Sequence, residues 1–131
     1  ALTLGADMVS IGTRFIATTE SMADPQYKHM VIESNFEDIL CTNAFTGAWA
    51  NMLRPSIVRA GLDPEHLQVA GPMNVTDDPH AGNRAWRDIW SAGHGVGLIR
   101  QQQSVAEVVA DLERDCPWAP DSRRAAPSAR T

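Results

Sequence analysis

Apolar residues fall in short runs separated by glycine, proline and acidic punctuation, a pattern that predicts many brief elements. The first run, Asp7-Met8-Val9-Ser10-Ile11, ends at Gly12. Five residues are too few for periodicity to separate helix from strand, but the length and the β-branched Val9 and Ile11 favour a strand. A nearly continuous apolar strand suits a parallel sheet covered on both faces. Ahead of it, Leu2, Leu4 and Gly5 read as the last turn of a helix closed by a glycine. With no initiator Met, the chain reads as cut from something longer.

A well-marked helix follows. Asp24 can cap it, Pro25 fits the first helical position, and Tyr27, Met30, Val31 and Ser34 recur at i, i+3, i+4, i+7. Residues 36–41 read as a short extended piece or another turn of helix. Residues 49–60 read as helical, ended or restarted at Pro55 and terminated by Gly61. Asp63-Pro64-Glu65 reads as another helix start. Residues 70–83 are turn-rich and predict a surface loop. Residues 84–90 resume a helical pattern with Trp86, Ile89 and Trp90 on one face, broken by Gly93, Gly95 and Gly97. The clearest helix is the last: Ser104 and Glu107 form a capping box ahead of the stripe Val105, Val108, Val109 and Leu112. The prediction is one strand followed by four or five helices, so any sheet needs strands the pattern hides or residues outside this sequence.

The length of 131 residues, with 44% hydrophobic and 21% charged residues, describes one ordinary globular domain. No apolar run approaches the ~20 residues that span a bilayer, and the start lacks the basic and apolar regions of a signal peptide. Cys41 and Cys116 form no metal motif and read as free thiols, which makes a reducing cytoplasm the expected location. The net charge of −5 argues against a nucleic-acid partner, which needs clustered Lys and Arg. The stretch after Cys116 is rich in Pro, Ala, Ser and Arg and predicts a disordered tail over 117–131.

Two segments carry candidate chemistry. Ser10-Ile11-Gly12-Thr13 ends the predicted strand, and ligands of parallel α/β folds bind at the carboxyl ends of strands. A glycine there lets backbone N–H groups approach a phosphate; the plainer reading is a tight turn. Ser91-Ala92-Gly93-His94-Gly95-Val96-Gly97 could bring backbone and His94 against a flat ring, or be an interhelical loop. His29, His66 and His80 read as surface residues, and the tryptophans as core or interface residues. No zinc spacing, P-loop, CxxC or GxSxG pattern occurs.

Taken as longer strings, three segments resemble the nitronate monooxygenase family, formerly 2-nitropropane dioxygenases. They are residues 4–21 (Leu-Gly-Ala-Asp-Met-Val-Ser-Ile-Gly-Thr-Arg-Phe-Ile-Ala-Thr-Thr-Glu-Ser), then Thr42-Asn43-Ala44-Phe45-Thr46-Gly47, then residues 90–97, in the family's order. The resemblance covers about residues 1–116. It implies an α/β fold: the C-terminal part of a TIM-barrel flavoprotein, its last strand, plus a mainly helical cap domain. Residues 1–22 would be the strand and phosphate-binding turn, and 23–116 the helical region. It implies FMN as cofactor and oxidation of alkyl nitronates by O2 to a carbonyl compound and nitrite. Ser10, Ile11, Gly12 and Thr13 inherit the later half of the phosphate site, and Gly93 and His94 a place near the flavin. Relatives usually carry Gln where this chain has His94. The family's other glycine pair and its catalytic histidine are expected upstream, so no catalytic residue is assigned here. Because a barrel takes ~250 residues, the chain is expected to be an incomplete C-terminal part, with an apolar face that could drive homo-oligomer formation. Two other functions compete: a non-catalytic helical remnant or interaction module, and the chemistry of the related FMN-dependent enoyl reductases.

Overall fold

The computed structural model describes residues 5–45, 47–68 and 87–116. In chain order these form α1 (Thr13–Ile16), α2 (Pro25–Glu33), β1 (Ile39–Thr42), β2 (Ala50–Leu53), α3 (Arg54–Arg59) and α4 (Val105–Asp115). Two 3-10 turns, Phe36–Asp38 and His94–Leu98, precede β1 and α4 respectively.

Local signals place the two longest helices. The Asp24 carboxylate accepts from the Gln26 N–H at 2.7 Å, and Pro25 occupies the first helical position. The face expected of α2 is the one it buries: Val31 and Ser34 are buried, and Tyr27 and Met30, partly buried, pack against the core cluster that holds Val31. On α4 both arms of the capping box form, Glu107 N–H to Ser104 Oγ at 3.2 Å and Ser104 N–H to Glu107 Oε2 at 2.7 Å. Of the predicted α4 stripe only Val108 is buried; Val105, Val109 and Leu112 remain exposed.

The centre differs from the predicted succession of helices. β1 and β2 form an antiparallel hairpin with Ile39 opposite Leu53 and Thr42 opposite Ala50. The other edge of β2 pairs with residues 90–92, through Leu53 N–H to Trp90 O at 2.8 Å and Ala92 N–H to Asn51 O at 3.3 Å. The expected helix over 49–60 is therefore a strand up to Leu53 and a helix only beyond it, with Pro55 in its first turn and Gly61 (φ +80°) after its end. Successive strand residues face opposite sides, and β2 is covered on both. Met52 packs with Phe45, Ile57 and Ile89, while Leu53 packs with Val31, Trp90, Val96 and Ile99. A strand buried on both faces lacks the alternation that would have marked it. The same holds for Ile89 and Trp90: residues 87–88 are a turn and 89–92 line the hairpin edge, not a helix, while 84–86 lie outside the described residues.

Other expectations also change. Residues 7–11 form no strand; Met8 is 87% exposed and Val9 and Ile11 are exposed too. A strand needs a neighbour to complete its backbone hydrogen bonds, and none of the described strands runs beside this segment. Asp63 starts a turn rather than a helix, its carboxylate accepting from the Glu65 N–H at 2.9 Å. Gly5 has a positive φ (+92°), and the helix turn expected at Leu2 and Leu4 lies outside the described residues. The predicted loop over 70–83, Trp86, His80 and the tail lie outside the described residues. Trp49 is exposed, whereas Trp90 is core, stacked on Tyr27 with centroids 4.8 Å apart and covered by the Arg59 guanidinium 3.5 Å from its centre. Its indole N–H is satisfied by Arg87 O at 2.9 Å.

Candidate functional site

The two predicted segments meet. Gly12 is the residue before α1, and Thr13 begins it. Gly93 donates its N–H to Thr13 Oγ1 at 2.8 Å, joining residues 80 positions apart. The first N–H groups of any helix lack intrahelical acceptors, so the Gly12–Thr13 turn presents donors. Gly12 has an ordinary φ of −105°, and a Cβ built on it meets no atom within 4 Å. Neither backbone conformation nor packing within this chain requires glycine there; what its absent side chain provides is open approach to the turn. Ser10, Ile11 and Gly12 are exposed, and Thr13 and Gly93 half-buried. His94 is exposed, with its ring against Phe36 rather than against Thr13.

Residues to which the sequence reading attached no role at the site hold this corner together. Arg14 donates to Gln103 Oε1 at 2.7 Å and to Asp111 Oδ2 at 3.4 Å. Gln103 in turn donates to Asp111 at 2.8 Å. Thr19 N–H bonds Gln103 O at 2.9 Å, and Lys28 Nζ bonds Thr18 O at 2.7 Å. The Glu20 carboxylate accepts the Val105 N–H at 3.0 Å, adding a second cap to α4. These partnerships show in three carboxylates. The Glu20 pKa is lowered by the Thr19 hydroxyl and the Val105 N–H, and that of Glu107 by the Ser104 N–H and hydroxyl. That of Asp111 is lowered by the Gln103 amide and Arg114. Burial raises the Tyr27 phenol, whose hydroxyl donates to Ser91 O. No periodicity marks Gln103 or Glu20; Arg14 lay within the quoted family string with no role attached.

Among the described residues no cluster of three or more His, Cys, Asp or Glu could hold a metal, and no helix is long and apolar enough to cross a membrane. Cys41 and Cys116 are free thiols. A shallow cleft of about 400 Å³, lined by Met30, Glu33 and Arg59 among others, lies apart from the residues predicted to bind a cofactor.

Comparison with known proteins places this geometry. Residues 1–115 match the family described as nitronate monooxygenase. A nitronate monooxygenase of Paraburkholderia phytofirmans is 30% identical over 121 residues, covering 88% of this chain and 33% of its own length. A probable nitronate monooxygenase of Bacillus subtilis is 45% identical over 119 residues, covering 86% of this chain and 34% of its own. Among solved structures, a FabK mutant from Thermotoga maritima aligns with a TM-score of 0.56 at 24% identity, covering 86% of this chain and 35% of that one. That likeness supports a TIM-barrel-related fold for this mixed helix-and-strand stretch. The chain spans about a third of the length of the curated relatives it matches. With the family match running over both the Gly12–Thr13 turn and the Gly93 loop that closes on it, the chain belongs to the nitronate monooxygenase family.

Proposed function

We propose that this chain supplies part of the FMN site of a cytoplasmic flavoenzyme that oxidises alkyl nitronates with O2. The observation that carries the reading is the open turn at Gly12 and Thr13, held against Gly93. The residues fit a phosphate: the donors are backbone N–H groups at a helix start, and the position nearest them carries no side chain. Ser10 and Ile11 lead into the turn, Thr13 anchors the Gly93 loop, and Gly93 and His94 would lie toward the flavin ring. Bound FMN would supply the redox chemistry, taking electrons from the nitronate and passing them to O2. The chain's own part is binding and orientation, and no residue of it is assigned as catalytic.

In this reading residues 1–22 take the place of the last barrel strand and its phosphate turn, and 23–116 form the region that covers it. The exposed Met8, Val9 and Ile11 then have a covering in the assembled barrel. The test is visible absorption of the purified chain titrated with FMN, beside Gly12→Val. A bound-flavin spectrum that Gly12→Val abolishes, with its far-UV circular dichroism unchanged, is the expected result. A chain that leaves the FMN spectrum unperturbed, or a Gly12→Val variant that binds as well as the parent, overturns the assignment.

A further inference from the structure

The two 3-10 turns, distant in sequence, lie side by side. A Cβ on Gly97 would stand 3.5 Å from the Phe36 backbone nitrogen and 3.8 Å from the Asn35 Cα, so the backbones approach closely. Arg100 Nη1 reaches Asn35 Oδ1 at 3.3 Å. A capping box closes the first turn, with Asn35 N–H donating to Asp38 Oδ2 at 2.7 Å. On this paired support the Phe36 and His94 rings meet, centroids 5.1 Å apart and planes tilted by 35°. Phe36 is 60% exposed, so core burial does not account for where its ring sits. His94 follows directly on Gly93, whose N–H is tied to Thr13. His94 is thus constrained from two sides, through the preceding Gly93 by the Thr13 contact and at its ring by the phenyl.

We propose that Phe36 is a positioning residue for His94, holding the imidazole in one orientation next to Gly93, the residue tied to Thr13. What His94 then meets, the flavin, rests on the function proposed above; the orientation rests on the Phe36–His94 geometry alone. Tilted aromatic pairs contribute enough to bias one rotamer of an exposed ring.

The test uses the full chain and has two arms. Without flavin, NMR of the histidine ring protons, assigned through His94→Ala, shows His94 signals displaced by the phenyl ring current. Phe36→Leu moves them toward ordinary positions, Phe36→Tyr restores them, and signals of His29, His66 and His80 stay fixed. With FMN, Phe36→Leu weakens binding roughly two- to tenfold, Phe36→Tyr recovers it, and in the His94→Ala background Phe36→Leu adds no further loss. His94 signals indifferent to Phe36→Leu overturn the proposal, as does an equal loss of affinity with and without His94. If no variant and no parent chain binds FMN, the function proposed above falls, and the NMR arm still upholds or overturns the orientation.

Discussion

The hairpin and the Gly12–Thr13 corner are built on opposite principles. Around β2, Met52, Leu53, Ile57, Ile89 and Trp90 are all nearly fully buried, and backbone pairing on both edges of the strand completes the structure. Around Thr13, Ile16 and Ala17 reach the core but Ile11 is exposed, and polar links tie the corner: Gly93 to Thr13, Arg14 to Gln103 and Asp111, Val105 to Glu20. Apolar burial gives stability in proportion to area, about 1.5–3 kcal/mol per fully buried large side chain. Partly exposed polar contacts contribute only about 1 kcal/mol each but fix direction. The difference teaches that the chain's buried apolar stability and its directional polar links are concentrated in different places.

Truncation should break that contrast most visibly in the hairpin. Leu53→Ala removes a side chain with no exposed surface between Val31, Trp90 and Val96, and is expected to cost about 2–5 kcal/mol in chemical denaturation. The same denaturation series on Val105→Ala should move the midpoint little, and an equal loss at both positions would erase the distinction. Next in size is Ser104→Ala, which removes the hydroxyl that accepts the Glu107 N–H. It should cost about 1 kcal/mol and loosen α4, read as faster amide hydrogen exchange there. Smallest is the response to acid. Glu20, Glu107 and Asp111 have pKa values lowered on folding, so each adds stability above its ordinary unfolded pKa, 4.5 for Glu and 3.8 for Asp. That contribution disappears as pH falls through the lowered folded values. Glu20 and Glu107 are solvent-exposed and Asp111 is half-buried, so screening by water keeps the effect modest. Melting temperature should decline between about pH 5 and 2.5, and less steeply in Ser104→Ala; parallel curves would show that the cap does not carry the acid sensitivity.

What was legible in the sequence was local. The Asp24–Pro25 start and the Ser104–Glu107 box each lie within four residues, so side-chain chemistry alone announced them. β2 was hidden for a physical reason: with Met52 and Leu53 both buried, on opposite faces, the apolar run has neither a two-residue nor a clean 3.6-residue period. Trp90 misled similarly, its apolar spacing to Trp86 reading as a helix face when Trp90 lines a strand edge. At the site, the glycines of both segments were visible, but their proximity was not. Only the order of the family strings hinted that Gly12 and Gly93 belong together. The Arg14–Gln103–Asp111 set and Phe36 carry no periodic signal, because such pairings are set by tertiary packing.

The span of the contacts at Thr13 also has a kinetic consequence. Gly93 closes on Thr13 across 80 residues and Val105 on Glu20 across 85, whereas Leu40 pairs with Met52 nearby in the chain. Loop-closure entropy makes distant pairings late events, since their cost is met before the contact rewards it. By that measure the β1–β2 pairing can close before the Thr13 corner, whose partners lie 80 or more positions downstream. The corner that the proposed function assigns to the flavin is thus complete only when Val105 is present to close on Glu20.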